Sequence, residues 1–280
     1  MGIAEELVSN QRALASLPTL YYKVRSALAD PEVVIQALSD LISTDPSLAA
    51  AVLRIANSAF YGFPRKIETL SRAIGLIGLN QLGDIVLAST LASTFQGIRP
   101  QKMDMARFWR GSIRRALLCR SMARHLGERD PERFFILGLL SDMGHLVLYQ
   151  TQPDLAAIIL DMASYSLSDI AQKERDMLGC DFAEVGAALI LKWQLPESFA
   201  CVVRHQLKPI EAGEQAAEAA RLNLAISIAE ALERGEQINA ACAPLCPDSP
   251  ELSGVDLTLL AVFAEECESQ LESVVSSLGL

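Results

Sequence analysis

The sequence predicts an all-α protein, and three observations support this fold class. Hydrophobic residues make up 51% of the 280 positions, and the helix-forming Ala and Leu dominate them, whereas aromatic residues are only 6%. Apolar side chains recur every three or four residues along most of the chain, which is the period of a helix face. No run of β-branched residues alternates with polar ones, so strands are not expected.

The first part of the chain is predicted to form a series of short helices. Asp30-Pro31 and Asp45-Pro46 each place an Asp N-cap before a first-turn Pro, so each predicts the start of a helix. The helix that follows Asp45 is expected to end at Asn57, a residue whose side chain competes for backbone hydrogen bonds. Amphipathic patterns predict further helices over 3–15, 69–77 and 80–95.

The segment 97–102 contains Gly and Pro and is predicted to separate these helices from a second set. Helical periodicity in that set covers 108–125, 131–149, 153–165, 168–178, 181–193, 196–206 and 214–234. Three prolines predict a loop over 242–254, and an amphipathic helix is expected from 257 to about 276. We therefore expect subdomains at 1–97 and 103–207 and an extension at 208–280, together forming one compact unit.

Composition argues against several classes of protein. The chain carries 34 acidic and 24 basic residues, a net charge of −10, and lacks the basic face of a nucleic-acid binder. Its densest basic pair, Arg114-Arg115, is interpreted as a solvated or locally paired helix face. The longest apolar run, 134–140, is far shorter than the roughly 20 residues of a membrane span. With no signal-peptide pattern and six cysteines without a C-x-x-C motif, we expect a cytoplasmic protein.

Two phrases stand out from the helical background. In Ile55-Ala56-Asn57-Ser58-Ala59-Phe60-Tyr61-Gly62, Asn57 and Ser58 are expected to break a helix, and Gly62 can adopt a positive φ. The phrase therefore predicts a rigid corner, with Tyr61 as one of its aromatic anchors. The second phrase is Gly138-Leu139-Leu140-Ser141-Asp142-Met143-Gly144, which places one carboxylate within a strongly apolar helix.

These phrases give the sequence a resemblance to the HDOD family, the HD-related output domain of bacterial signalling proteins. The resemblance covers about residues 12 to 207 and implies an N-terminal helical bundle packed on a degenerate HD-type helical domain, followed by extra C-terminal helices. The matching features, in order, are Leu17-Pro18-Thr19-Leu20, Asp45-Pro46-Ser47-Leu48, the corner phrase, Arg72-Ala73-Ile74, Leu76-Ile77-Gly78, Phe108-Trp109, the Gly138–Gly144 phrase, Leu178-Gly179, Glu184-Val185-Gly186 and Trp193 to Pro196.

The resemblance also implies that a metal site has been lost. HD hydrolases hold one or two metals with His and Asp side chains, and metal-bound water attacks a phosphate. Positions where related proteins often carry His are here Gly111, Ser141, Phe182 and, in a His-His pair, Arg204. The remnants are Asp142, His205 and, on a loose alignment, Glu230. We therefore expect no catalytic residues, no bound metal and no other cofactor.

Asp142 then needs a new partner, because a buried carboxylate without one is costly or becomes protonated. One hypothesis is that Arg204 or His205 supplies the positive charge, and the alternative is a backbone amide of a neighbouring helix. The residues expected to line a pocket left by the lost site are Trp109, Arg110, Asp142, His145, Arg204 and His205.

The function that the resemblance implies is a non-enzymatic bacterial regulatory module. We expect unidentified protein partners, among which cyclic-di-GMP or two-component signalling proteins are candidates, and self-association through the last helix is a further option. Nucleic-acid and membrane partners are not expected. Two alternatives stay open: a metal-dependent phosphohydrolase acting on a nucleotide or cyclic dinucleotide, and a small-molecule sensor that reuses the pocket.

Overall fold

A computed structural model describes residues 2–10, 17–95, 103–161, 166–238 and 246–280, and every regular element in these ranges is a helix. The predicted all-α class is therefore confirmed. The α-helices are α1 Ile3–Asn10, α2 Thr19–Leu28, α3 Ile35–Ser43, α4 Pro46–Ala56, α5 Leu70–Ile77, α6 Leu79–Phe95, α7 Met105–His125, α8 Pro131–Leu140, α9 Met143–Thr151, α10 Pro153–Asp161, α11 Leu167–Leu178, α12 Phe182–Lys192, α13 Glu197–Arg204, α14 Ala216–Glu233, α15 Ser249–Ser253 and α16 Leu260–Leu278. Short 3₁₀ helices cover Pro209–Gln215 and Leu257–Leu259.

Spatial contacts group the chain into two compact units. The larger unit comprises Met1–Ser16 and Ile98–Ser269, and the smaller comprises Leu17–Gly97 and Gln270–Leu280. The last helix, α16, thus contributes residues to both units. The division at 97 and 207 expected from the sequence stays a prediction.

In the smaller unit, one predicted helix start is confirmed and another is wrong. Asp45 caps α4 by accepting hydrogen bonds from the amides of Ser47 and Leu48, with Pro46 at the first position. Asp30, in contrast, accepts the amide of Glu32 in a turn, and α3 begins only at Ile35. The helix α2, which precedes that turn, was not predicted.

The corner phrase forms a hydrogen-bonded junction after α4. The side chain of Asn57 donates to the carbonyls of Leu53 and Ile67, each at 2.8 Å, and accepts the amide of Ile67 at 2.8 Å. Ser58 donates to the carbonyl of Ile55 at 2.7 Å, and Gly62 has a φ of 62°. Asn57 therefore connects the end of α4 to the irregular segment that precedes α5.

In the larger unit, the helix predicted over 131–149 is two helices with a break at Ser141 and Asp142. The Ser141 hydroxyl donates to the carbonyl of Gly138 at 2.7 Å, and Asp142 has φ −110° and ψ 3°, outside the α-helical range. This single-helix prediction was wrong because apolar periodicity continues through the break. The consequence is that Asp142 stands at the start of α9.

Both glycines of the Gly138–Gly144 phrase lie where two helix backbones meet. A Cβ atom at Gly138 would overlap the Cα atom of Ala116 in α7, and one at Gly144 would overlap the carbonyl oxygen of Phe182 in α12. Side chains are excluded at both points, so the phrase fixes how α8 packs on α7 and how α9 packs on α12.

Several remaining expectations fall at the edges of the described ranges. The 97–102 segment, residues 11–15 of the first predicted helix and residues 162–165 of another lie outside them. The predicted loop over 242–254 contains α15 in its described part. The five cysteines in the described ranges are free thiols.

Among the described residues, no single helix has both the length and the hydropathy needed to cross a membrane. By length and composition alone, one pair of helices meets that criterion together, α5 with α6, and the two are bent by 116°.

Candidate functional site

The candidate site is a buried row of charged side chains at the break between α8 and α9. Asp142 stands between two cations: Arg115 Nη1 of α7 lies 2.9 Å from its Oδ2, and His145 Nδ1 of α9 lies 2.5 Å from its Oδ1. On the other side of the imidazole ring, His145 Nε2 lies 3.2 Å from Oε1 of Glu174, which is fully buried in α11; the two atoms are close enough for an ion pair but are not aligned for a hydrogen bond. Acid and base therefore alternate along the row Arg115, Asp142, His145, Glu174, which we call the charged row.

The two central members of the charged row hold each other in their ionised forms. Burial by itself would raise the pKa of Asp142, but the positive charges of Arg115 and His145 hold that pKa well below its usual range. Burial would lower the pKa of His145, yet the carboxylates of Asp142 and Glu174 raise that pKa to about 10. His145 is accordingly an imidazolium at neutral pH, and Asp142 is a carboxylate.

Aromatic rings enclose the imidazolium. The ring of Phe182 stacks on His145 with centroids 4.1 Å apart and planes at 14°, and Tyr149 lies 5.3 Å away on α9. The amide of Phe182 donates to Oε2 of Glu174 at 2.8 Å, which anchors the end of the charged row at the start of α12. An aromatic ring face attracts a cation, so Phe182 stabilises the charge beside it.

These residues do not fit the metal of an HD hydrolase. Both carboxylate oxygens of Asp142 already contact cationic side chains, and those charges would repel a metal ion. Gly111 and Phe182 offer no ligand atom, and the Ser141 hydroxyl is bonded to the carbonyl of Gly138. Within the described part of the chain, no group of three or more His, Cys, Asp or Glu side chains is arranged to hold a metal.

An open cleft of about 290 Å³ lies beside the charged row. Gly111 forms part of its wall, and a Cβ atom there would lie 2.9 Å from Oε1 of Glu233, so the missing side chain keeps the cleft open. Arg107 and Glu233 form an ion pair at 3.3 Å. The lining residues are Met103, Asp104, Arg107, Phe108, Gly111, Arg115, Asp142, His145, Tyr149, Ile159, Leu167, Ile170 and Glu233.

The structure brings together only two of the six residues expected to line the pocket, Asp142 and His145. Trp109 is buried in the core and, like Arg110, does not line the cleft. His205 lies 3.9 Å from Glu211, and burial lowers its pKa. Burial raises the pKa of the metal remnant Glu230 on α14, and the charge of Arg115 offsets part of that rise.

The hypothesis that Arg204 or His205 neutralises Asp142 is wrong, because Arg115 and His145 do so. Arg204 is exposed at the end of α13, and the residue that reaches the helix break is Gln206, whose Nε2 donates to the carbonyl of Ser141 at 2.9 Å. The alternative, a backbone amide of a neighbouring helix, is also wrong, because the side chains of Arg115 and His145 are the partners of Asp142.

Sequence reasoning missed Arg115, Glu174 and Gln206. Arg115 had an available signal: it follows Gly111 by four residues, so the two share a face of α7 and Arg115 points to the same site. Glu174 and Gln206 belong to no motif. Only the packing of α11 brings Glu174 into the charged row, and only the position of the segment after α13 brings Gln206 to the helix break.

The helical fold and the break carrying Asp142 define an HD-type helical domain. The family model of the HDOD domain matches residues 14–209. The chain therefore belongs to the HDOD family, and the resemblance inferred from its motifs is confirmed.

Known proteins of similar fold and sequence come from several bacteria. One is a putative phosphohydrolase from Shewanella amazonensis SB2B, whose sequence is 26% identical. Its crystal structure superposes with a TM-score of 0.80, and the match covers 99% of this chain and 98% of the Shewanella chain. The MmoQ response regulator of Methylococcus capsulatus str. Bath is 26% identical with a TM-score of 0.50, covering 88% and 95% of the two chains. An uncharacterized protein of Treponema pallidum (strain Nichols) is 23% identical over 192 residues, and the match spans 68% of this chain but only 37% of that relative.

Proposed function

We propose that this HDOD chain is a non-enzymatic signalling module of the bacterial cytoplasm that acts through contacts with protein partners. The observation that carries the proposal is the pairing of both Asp142 oxygens with Arg115 and His145. The one carboxylate retained from the HD phrase is thereby committed to side chains of the same chain. A hydrolase of this type would need that carboxylate for its metal.

The similarity to a response regulator supports a signalling role. The net charge of −10 argues against nucleic acid as the partner, because nucleic-acid binders usually carry a basic surface. We propose protein partners from cyclic-di-GMP or two-component signalling, or a second copy of the chain. The similarity to the Shewanella protein keeps a phosphohydrolase as the rival function, and the two functions make opposite predictions about metal.

The decisive experiment measures metal content and hydrolysis on the same preparation. The chain is purified without chelator, its zinc, nickel, manganese and iron are quantified, and it is assayed with each metal added against nucleotides and cyclic-di-GMP. We expect metal far below one equivalent and no hydrolysis above buffer. One equivalent of metal that disappears in Asp142→Ala would overturn the proposal in favour of a phosphohydrolase.

A matched variant makes this result more informative. Arg115→Ala removes one of the two cations from Asp142 and leaves the rest of the charged row unchanged. If Arg115 replaces the metal's charge, this variant should bind added divalent metal measurably more than the native chain, yet below one equivalent, because Gly111 and Phe182 still offer no ligand atom. Equal metal binding by the two proteins, both fully folded by circular dichroism, would contradict the assignment.

A small-molecule sensor is a second candidate, and the cleft favours it. Its volume of about 290 Å³ lies at the lower end of ligand pockets, and the Nε–H of Arg115 is buried without a hydrogen-bond partner among the described residues. Thermal unfolding in the presence of mononucleotides and small anions tests this function. A reproducible rise in Tm that is lost in Gly111→Leu, which would fill the cleft, supports a sensor.

A further inference from the structure

The smaller unit contains a second cavity, separate from the charged row. It has a volume of about 180 Å³ and lies among the start of α2, one face of α4, the middle of α6 and the end of α16. Its size is below the roughly 300–1,000 Å³ typical of pockets for drug-sized ligands, so it suits a smaller molecule. Three features of its wall define the chemistry of that molecule.

The first feature is a cation. Arg54 of α4 lines the cavity, and its Nε donates to the carbonyl of Ser277 in α16 at 3.0 Å. This bond tethers the guanidinium through one of its five donors, while Arg54 as a residue stays exposed. Among the described residues no carboxylate forms an ion pair with Arg54, so the remaining donors can bind an anion.

The second feature is an unsatisfied hydroxyl. Ser89 of α6 lines the cavity and is 7% exposed, and its hydroxyl has no hydrogen-bond partner among the described residues. One turn further on, Ser93 differs, because its hydroxyl donates to the carbonyl of Thr90 at 2.9 Å. A buried polar group without a partner is costly, so a ligand oxygen that accepts from Ser89 would remove that cost.

The third feature is an apolar wall with a negative charge beyond it. Leu48, Ala51 and Leu278 line the cavity with hydrocarbon. Asp45 also lines it, and its carboxylate already accepts hydrogen bonds from the amides of Ser47 and Leu48. The pKa of Asp45 is lowered, mainly by the hydrogen bond from the Ser47 hydroxyl. A second ligand charge near Asp45 would be repelled, which disfavours dianions such as phosphate.

From these features we infer that the cavity binds a small monocarboxylate. The carboxylate group would pair with Arg54, one of its oxygens would accept from Ser89, and a short apolar tail would lie against Leu48 and Leu278. Arginine suits this ligand because its planar fork matches the two oxygens of a carboxylate.

The test is a titration of the full chain with acetate, propionate and butyrate, each compared with its amide at constant ionic strength. The amides keep the shape and lose the charge. NMR amide shifts for residues 47–54 and 89–93 should move saturably with the carboxylates alone. Equal saturation by the amides, or the absence of saturation at 10 mM carboxylate (about −2.7 kcal/mol), would overturn the inference.

Four variants locate the binding group. Arg54→Gln should weaken affinity by about tenfold or more, since it removes the positive charge and the charge-assisted hydrogen bonds to the carboxylate. Arg54→Lys should retain only part of the affinity, because it keeps the charge but loses the planar fork that matches the two carboxylate oxygens, and Ser89→Ala should lose a few-fold. Arg72→Gln, on α5 and outside the cavity lining, should bind like the native chain. Native affinity in Arg54→Gln would refute the assignment of the site.

Discussion

At the scale of single residues, the charged row shows how the retained carboxylate is kept inside the protein. Asp142 is bonded by Arg115 from α7 and by His145 from its own helix, and His145 is enclosed by Glu174 and Phe182. Buried pairs of this kind add little stability compared with apolar side chains, but removing one partner leaves an uncompensated charge. The row therefore makes the site sensitive to single substitutions.

The first prediction concerns the coupling of Arg115 and Asp142. Arg115→Met should lower the free energy of unfolding by about 3–5 kcal/mol, because Asp142 is left with one cation in a buried position. Adding Asp142→Asn should recover a large part of that loss, giving a coupling energy above about 1 kcal/mol in urea unfolding. Arg107→Met on the same helix is the control, since its exposed pair with Glu233 is worth at most about 1 kcal/mol. Additive single effects would contradict the coupling.

The second prediction concerns pH. The pKa of His145 is raised from 6.5 to about 10 on folding, so its protonation stabilises the native state fully below about pH 6.5. That contribution should be lost as pH rises through about 10. For Asp142 the folded pKa is lowered, so its contribution is present above 3.8 and lost as pH falls below that value.

The check is the difference in unfolding free energy between the native chain and His145→Gln, measured from pH 6 to 10. The difference should shrink steadily across that range. Nitrogen NMR of the native chain at pH 8 should show protons on both ring nitrogens of His145. A constant difference, or a neutral ring at pH 8, would show that the imidazole is not held as a cation.

At the scale of elements, two glycines set the distances between helices. Gly144→Ala should destabilise the protein strongly, by about 3 kcal/mol or more, because the new Cβ would overlap the carbonyl oxygen of Phe182 and α9 cannot move without disturbing the charged row. Gly138→Ala should act similarly against α7. The control is Gly75→Ala in α5, where the new Cβ would lie 3.8 Å from Ile35 and a helix gains about 0.5–1 kcal/mol. Thermal unfolding of the three variants separates these outcomes, and a neutral Gly144→Ala would disprove the close approach.

The starts and ends of the helices were predicted correctly at some positions and wrongly at others, and each outcome has a physical reason. Asp45 was identified as a cap because Asp followed by Pro satisfies the first amides of a helix, and α4 begins there. The same dipeptide at Asp30 forms a turn instead, because such a side chain satisfies a turn amide equally well. The break at Ser141 and Asp142 was missed because hydrophobic periodicity does not report a local loss of helical φ and ψ.

At the scale of the larger unit, a hydrogen-bond relay connects segments that are distant in sequence. Gln206 donates to the carbonyl of Ser141, and Asn223 of α14 donates to the carbonyl of Gln206 at 2.7 Å. The Oδ1 of Asn223 accepts the hydroxyl of Ser249 at 2.7 Å and the amide of Cys246 at 3.1 Å. The helix break beside the charged row is thus joined to the segment that leads into α15.

Asn223→Ala should remove the centre of this relay. Several buried groups would lose their partner at about 1–3 kcal/mol each, and amide hydrogen exchange should accelerate at residues 246–249. Asn80→Ala, at the exposed start of α6, should change neither stability nor exchange by a comparable amount. Unchanged protection at 246–249 in Asn223→Ala would show that the relay does not hold that segment.

At the scale of the whole molecule, the sequence was sufficient for the fold class and the family but not for the site. Helical periodicity and ordered motifs predict the architecture, because they depend on local spacing. The partner of Asp142 depends on which neighbouring helix packs against the break, and Arg115 lies 27 positions earlier in the chain. The resemblance directed attention to Arg204 instead, because related proteins often carry a ligand His at that position, but the packing of α13 turns Arg204 to the surface.

The neutralisation of Asp142 by Arg115 and His145 also has a consequence for the living cell. The charge that completes this core is synthesised with the polypeptide, so folding does not wait for an ion to be delivered. The amount of folded protein should then stay constant when the cells that make it are starved of transition elements.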